Sequence, residues 1–239
     1  MNKPILSPGI VIHTVTTLDL ACTGWQWPFA VERCDDIAAH FAQKQSEKPQ
    51  LFNGRVLLGR NPVFANDTFS ADYFETDFAS FLAWRDWGFP DKDVFNGFGM
   101  GALRCADGAF ILGEMGAHTA NAGKVYFPSG TPDPGDISGT QLDINASVIR
   151  EVEEETGLGV DSYSMDARWH CVVSGSVIAM MRLLHEEGRG EALRSRIEGE
   201  IRAQQSPELS GILLVRGMAD ITPAMPVFVS AFLAEHLSH

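Results

Sequence analysis

Residues 149–159 read IREVEEETGLG, and three glutamates of this stretch lie on one side of the helix that its spacing predicts. An α-helix advances about 100° per residue, so Glu151, Glu154 and Glu155 at positions i, i+3 and i+4 share a face. Carboxylates at this spacing repel one another unless a cation lies between them. Because hard cations such as Mg²⁺ prefer oxygen ligands, this face is a candidate metal site.

A solvated acidic surface is the alternative interpretation of the same face. Asp143 or Asn145 can cap the start of a helix that Gly157 can end, which places the glutamates in its last turns. The negative end of the helix dipole disfavours anions there, and this argues for a cation. The spacing alone leaves the two interpretations about equally supported.

The segments around this helix alternate irregularly between strand-like and helix-like patterns. Strands are predicted at 9–15, 55–60, 97–105, 109–115, 124–130, once or twice within 169–184, and at 212–216; helices are predicted at 29–48, 74–89, 143–156, 189–204 and 226–237. This order predicts an α/β or α+β fold with a mixed sheet. The polar, turn-rich stretch at 90–97 is a candidate boundary.

The composition restricts the classes of partner. The chain has 239 residues, 45% of them apolar, and a formal net charge of −13. Binding to nucleic acid or to an anionic membrane requires clustered Lys and Arg, so neither partner is expected. A small anionic substrate remains compatible if a metal ion supplies positive charge. Four widely spaced cysteines and the absence of a signal-peptide pattern predict reduced thiols and a cytoplasmic protein.

Residues 150–158, REVEEETGL, resemble the second half of the Nudix box, G-x5-E-x7-R-E-U-x-E-E-x-G-U, where U is aliphatic. Every specified position of this half matches. Upstream, a predicted hairpin and the segment YFPSG at 126–130 are similar to the strand and loop that precede the box. The resemblance is therefore dense over nine residues and continues, more weakly, before them.

The first half of the box departs from the pattern. At standard spacing, Leu142 stands where the box has its first glutamate. If Gly130 is the box glycine, Asp136 replaces that glutamate, and thirteen residues rather than seven separate it from Arg150. The loop before the helix is then six residues longer than the pattern, and the role of the first glutamate stays open.

The resemblance implies a fold, an activity and a set of site residues. It implies a mixed β-sheet sandwiched between helices in residues 93–239, preceded by an N-terminal α/β extension in residues 1–92. It implies hydrolysis of a nucleoside diphosphate linked to another moiety, with Mg²⁺ or Mn²⁺ held by Glu151, Glu154 and Glu155. Glu154 would also be catalytic, and Arg150 would orient Glu151. The family is compatible with a homodimer.

One further carboxylate lies outside the box. Glu208 precedes the predicted strand at 212–215, and a carboxylate at a junction of loop and strand can reach the site as a ligand or a base. An ordinary loop residue is the alternative. His170, beside Trp169, is predicted to be packed rather than catalytic.

Scattered segments before the box, among them DYFETDFASFLAW at 72–84, resemble UDP-sugar pyrophosphatase-like Nudix proteins. This resemblance implies a UDP-sugar substrate that is cleaved to UMP and a sugar 1-phosphate. ADP-ribose, NADH and dinucleoside polyphosphates are alternative substrates. A Nudix-fold module that binds a nucleotide without cleaving it is an alternative of a different class.

Overall fold

The strands of the computed structural model, which describes residues 9–237, join into one hydrogen-bonded set with parallel and antiparallel pairs. In chain order they are β1 (Ile10–Val15), β2 (Thr17–Thr23), β3 (Arg55–Ala65), β4 (Thr68–Asp77), β5 (Val94–Cys105), β6 (Phe110–Met115), β7 (Val125–Tyr126), β8 (Ile137–Ser138), β9 (Gln141–Leu142), β10 (Ser164–Ser174), β11 (Val177–Glu186) and β12 (Leu209–Val215). The helices are α1 (Pro28–Glu32), α2 (Cys34–Glu47), α3 (Phe78–Asp86), α4 (Ile144–Thr156), α5 (Gly190–Ala203) and α6 (Val227–Leu237). The predicted α+β class with a mixed sheet is confirmed.

The sheet branches at β5, which pairs in parallel with β11 and antiparallel with β3 and β6. One path runs β1-β10-β11-β5-β3-β4-β2-β9-β8, and β6 leads from β5 to β7 and β12. Strands from before and after residue 92 are thus bonded directly, β1 to β10 and β3 to β5. The division at residue 92 stays a prediction.

Helices cover both faces of β5. The Phe98 ring contacts Phe228 of α6 with 5.7 Å between the ring centroids, whereas Gly99 lies against α4. Successive residues of a strand point to opposite faces, so α4 and α6 lie on opposite sides of the sheet. This arrangement agrees with the predicted sheet between helices.

Glycines in β5 let α4 approach the sheet closely. A Cβ on Gly99 would lie 2.5 Å from Cγ2 of Val148, and a Cβ on Gly101 would lie 2.5 Å from Cγ2 of Val152. Both valines are completely buried. The apolar face of α4 therefore packs on bare backbone, and this packing fixes the direction of the adjoining acidic face.

The ends of α4 agree with the sequence prediction. The Asp143 side chain accepts a hydrogen bond from the Ala146 amide at 2.9 Å, so Asp143 is the cap. Gly157 adopts a left-handed conformation with φ of 71°, which a residue without a Cβ enters easily. Helix α4 is therefore held at both ends by its own sequence.

One predicted helix begins later than expected. Residues 74–77 belong to β4 rather than to the helix predicted at 74–89, and α3 begins at Phe78. Asp77 caps it by accepting from the Ser80 amide at 2.9 Å. The Phe74 side chain is buried in the same cluster as Trp84 of α3, so pairing in the sheet and tertiary packing outweighed the local helical spacing.

No helix within residues 9–237 is long and apolar enough to span a bilayer. The predicted absence of a signal peptide concerns the start of the sequence, of which residues 1–8 lie outside the described residues.

Candidate active site

Two carboxylates of α4 face a tight loop that follows β7. The Ser129 amide donates a hydrogen bond to Oε1 of Glu155 at 3.2 Å. A Cβ on Gly130 would lie 2.2 Å from Oε1 of Glu151, so only glycine leaves room for that carboxylate. The segment from Ser129 to Gly130 thus forms one wall of a carboxylate site whose other wall is α4.

The acidic residues of α4 divide into buried and exposed members. Glu155 is 5% exposed, and the Glu151 side chain is 13% exposed. The Glu154 side chain is 60% exposed, and Glu153, at the variable position of the box, is also exposed. Two of the three predicted metal ligands therefore lie inside the fold, and the third lies at its surface.

Burial is the main cause of the raised pKa values of the two buried carboxylates, Glu151 and Glu155. It raises the pKa of Glu151 to about 7; Arg150 opposes the shift, and the charges of Glu154 and Glu208 add to it. It also raises the pKa of Glu155 well above the ordinary range, with the Ser129 amide opposing the shift and the Glu151, Glu208 and Glu154 charges adding to it. The mutual repulsion expected from the sequence is therefore present in the folded chain.

Arg150 is the cation at the centre of this cluster. Its guanidinium lies 2.9 Å from Asp136 Oδ1, 2.8 Å from Glu151 Oε1 and 3.5 Å from Glu154 Oε2. The short contact with Glu151 fixes that side chain on the side of α4 that faces Gly130. That Arg150 orients Glu151 for catalysis stays a prediction.

Asp136 lies deep beneath Arg150. Its side chain is 3% exposed, and Oδ2 accepts hydrogen bonds from the Asp133 amide at 3.1 Å and from the Ser147 hydroxyl at 3.3 Å. The alignment that inserts six residues and gives Asp136 the place of the first box glutamate is therefore compatible with the folded loop. The other alignment would give that place to Leu142, an apolar residue of β9.

Glu208 approaches the same cluster from outside the helix. Its charge acts on Glu151 and Glu155, and on the Tyr126 hydroxyl, whose pKa burial raises. The Glu208 carbonyl accepts from the Gly116 amide at 2.7 Å, which fixes the backbone beside β6. Its side chain is exposed, so it remains free to bind or to move a proton at the rim of the site.

The donor chemistry of the cluster fits a divalent cation. Glu151 and Glu155 are buried carboxylates whose charges compete, and Glu154 and Glu208 supply further oxygens within electrostatic reach. Oxygen donors of this kind are those that Mg²⁺ and Mn²⁺ prefer. As the side chains lie, no group of three acidic, histidine or cysteine side chains within residues 9–237 is arranged to hold a metal ion. Binding would require rearrangement of at least one side chain.

The structure brings together all the residues that the sequence singled out on α4, together with Glu208. The sequence analysis did not identify the Ser129 amide, because the residue type does not show which backbone amide will donate a hydrogen bond to a distant side chain. His170 is packed, as expected: its ring lies 4.6 Å from the His236 ring and 5.6 Å from Phe232. Burial and the neighbouring His236 lower the pKa of His170 to about 4.

Comparison with known proteins gives distant similarities in structure. No family model and no curated protein matches the chain. The Nudix hydrolase RenU from M. smegmatis aligns with a TM-score of 0.37 and 10% identity, over 59% of this chain and 81% of its own. The MutT protein from Methanosarcina mazei Go1 aligns with a TM-score of 0.36 and 17% identity, over 60% of this chain and 93% of its own.

Proposed function

We propose that the protein is a Nudix hydrolase that uses a divalent cation to hydrolyse the diphosphate of a nucleoside diphosphate linked to another group. One observation carries the proposal. Glu151 and Glu155 are buried against the Ser129–Gly130 loop beside Arg150, at the positions that match the second half of the box. A merely solvated acidic helix would leave these carboxylates in water.

The carboxylates of the cluster have two proposed roles, as metal ligands and as a base. Glu151, Glu154 and Glu155 would hold Mg²⁺ or Mn²⁺, and Arg150 is a positioning residue that aims Glu151. The cation, when bound, would neutralise the diphosphate and make water more acidic. The exposed rim carboxylates, Glu208 and Glu154, are the two candidates for the base that takes the proton of the attacking water as the P–O bond breaks.

A UDP-sugar is the proposed substrate, with UMP and a sugar 1-phosphate as products. The resemblance of the segments before the box supports this choice over ADP-ribose, NADH and dinucleoside polyphosphates. A cytoplasmic location and a homodimer are further proposals, which cell fractionation and sedimentation would test.

The decisive experiment is a substrate panel with and without added cation. We expect the metal-stripped protein to release nucleoside monophosphate from UDP-glucose or UDP-galactose only after Mg²⁺ or Mn²⁺ is added. Turnover of ADP-ribose, NADH or a dinucleoside polyphosphate with a higher kcat/KM would change the substrate and keep the reaction class.

The matched variants are Glu155→Gln and Glu153→Gln. Replacing the buried ligand is expected to lower cation-dependent turnover by about 100-fold or more, whereas its exposed neighbour on the variable position should tolerate the same change. Full activity of a folded Glu155→Gln protein would exclude the proposed role of the cluster.

A nucleotide-binding module without catalysis is the second candidate. Two observations favour this function. Arg150 already pairs with Asp136 and Glu151, and within residues 9–237 no three acidic, histidine or cysteine side chains are arranged to hold a metal ion. Tight binding of a nucleotide sugar without turnover at any Mg²⁺ or Mn²⁺ concentration would establish this function instead.

A further inference from the structure

An aromatic cavity lies next to the carboxylate site. It has a volume of about 290 Å³ and opens between α3, the start of β5 and the start of α6. Five phenylalanines line it, and we call it the aromatic pocket: Phe78, Phe81, Phe89, Phe98 and Phe228. All but Phe81 are only half-buried, so they keep apolar surface open beside the cavity.

The aromatic pocket and the carboxylate site share a wall. Ser129 and Gly130 line the pocket, and the same two residues contact Glu155 and Glu151. Tyr126 also lines the pocket and lies within the electrostatic reach of these glutamates. A ligand that reached both sites at once would therefore carry its charged part to the carboxylates, through a cation, and its apolar part into the pocket.

The backbone at one edge of the aromatic pocket is held in an unusual conformation. Phe89 has φ of 59°, in the left-handed region that bulky residues rarely adopt. Its amide donates to the Trp84 carbonyl at 2.8 Å, and its ring packs edge-on to Trp84 with 4.7 Å between centroids. Strain of this kind persists where the surrounding structure holds it, and it often accompanies binding sites.

The polar side chains that line the aromatic pocket differ in their hydrogen bonding and ion pairing. Asn96 lines it, and its buried Oδ1 has no hydrogen-bond partner within residues 9–237. Rotation of this amide would turn either a donor or an acceptor towards a ligand. Lys124 and Arg85 also line the pocket; Arg85 pairs with Asp86, whereas Lys124 has no acidic partner in the described part of the chain.

We propose that the aromatic pocket binds the nucleobase of the nucleotide substrate, with the phenylalanine rings against its faces and Asn96 at its edge. This inference rests on the proposed function, because the diphosphate must lie at the carboxylates for its base to enter here. Lys124 adds positive charge to the wall of the pocket. The sugar on the far side of the diphosphate then lies outside the pocket.

The lining of the aromatic pocket distinguishes a base from a sugar. A sugar carries hydroxyl groups all around its ring, and each needs a hydrogen-bond partner when it leaves water. A nucleobase needs such partners only along its edge, and both its faces gain from aromatic contact. Five rings and one unpaired amide suit the base.

Binding without a cation tests the inference independently of hydrolysis. In EDTA, UMP, CMP, AMP and GMP are compared with ribose 5-phosphate, which has the phosphate and no base, by calorimetry. We expect at least one nucleotide to bind about tenfold or more tightly than ribose 5-phosphate, and Phe98→Ala to remove that difference. Phe41→Ala is the matched control, because Phe41 lies on α2 beside a different cavity.

Contacts in the unmodified protein keep the test decisive if a variant fails to fold. Base protons of the bound nucleotide should show nuclear Overhauser contacts with phenylalanine ring protons, and Asn96→Leu should alter the ranking of the four nucleotides. Equal binding of ribose 5-phosphate and all nucleotides would overturn the inference even if hydrolysis is observed. Base-dependent binding without cation-dependent turnover would overturn the proposed hydrolase and keep the pocket.

Discussion

At the scale of single residues, Arg150 decides how the acidic cluster is held. It is the only cation bonded to Asp136 and Glu151 among the described residues, and both carboxylates are largely buried. A buried carboxylate without its partner costs far more than an exposed one. The stability of this corner of the fold therefore depends on one guanidinium.

Arg150→Ala should destabilise the protein by about 2 kcal/mol, because it leaves Asp136 buried and unpaired. Urea unfolding in EDTA measures the change. Asp136→Asn should recover part of the loss when it is combined with Arg150→Ala, since the amide carries no charge. Additive effects of the two substitutions would show that the pair does not interact.

His170 gives the protein a pH dependence that does not involve the glutamates. Its pKa is lowered to about 4 by burial and by His236, with Arg168 adding to the shift and Asp166 opposing it. Between about pH 4 and the ordinary histidine pKa of roughly 6.5, His170 is protonated in the unfolded chain and neutral in the folded chain. Stability should therefore fall as the pH is lowered through this window.

The contribution of His170 is expected to be roughly 1 to 2 kcal/mol, allowing for its partial exposure to solvent. His170→Gln should flatten the loss of thermal stability between pH 6.5 and pH 4. His185→Gln, at an exposed position of β11, is the control and should leave the slope unchanged. An equal slope in both variants would remove His170 as its cause.

At the scale of elements, α4 carries the site because two glycines of β5 let it lie directly on the sheet. The valines that fill this contact and the glutamates of the site occupy different faces of one helix. A displacement of α4 away from β5 would therefore also move Glu151 and Glu155 away from the Ser129–Gly130 loop.

Gly99→Ala should destabilise the protein by about 1 to 3 kcal/mol, because its methyl group would overlap Val148. The combination with Val148→Ala should restore part of the stability, since it removes one of the two side chains that the new Cβ would overlap, the other being Ile144 at 2.7 Å. Gly24→Ala, where nothing lies within 4 Å of the new Cβ, serves as the control. Thermal unfolding of the four proteins checks this packing, and a neutral Gly99→Ala would contradict it.

At the scale of the whole molecule, the region before residue 92 is part of the same hydrogen-bonded sheet as the region after it. β1 covers the edge of β10, and β3 covers part of β5. The phenylalanines that α3 contributes to the aromatic pocket also come from before this position. The N-terminal region thus supplies both strand pairing and part of the lining of the aromatic pocket.

A chain that begins at residue 93 should fail to unfold cooperatively. Its β5 and β10 would expose unpaired backbone groups and apolar side chains that β3 and β1 cover in the full chain. Calorimetry and the dispersion of amide resonances measure this. A sharp, cooperative transition of the truncated chain would show instead that the region after residue 92 folds by itself.

Much of the architecture follows from local signals. Asp143 and Gly157 mark the ends of α4 through a side-chain cap and a left-handed residue, both of which act within a few residues. The helix predicted at 74–89 was wrong at its start, because residues 74–77 gain more from pairing with β3 than from helical spacing. Strand β2 was not predicted, since its partners β4 and β9 are distant in sequence. Strand β4 was not predicted either, although it follows β3 directly in a hairpin across residues 66–67, because part of it has helical spacing.

The sequence by itself determined that three glutamates share a face of one helix beside an arginine, because a helical repeat is a local property. Only the tertiary structure decided which of them are buried, that Ser129 and Gly130 close over them, and that Glu208 joins them from another element. It also decided that phenylalanines from three separate segments meet in one pocket. The burial of these side chains and the formation of the pocket depend on contacts between residues far apart in the chain, and no local sequence pattern encodes such contacts.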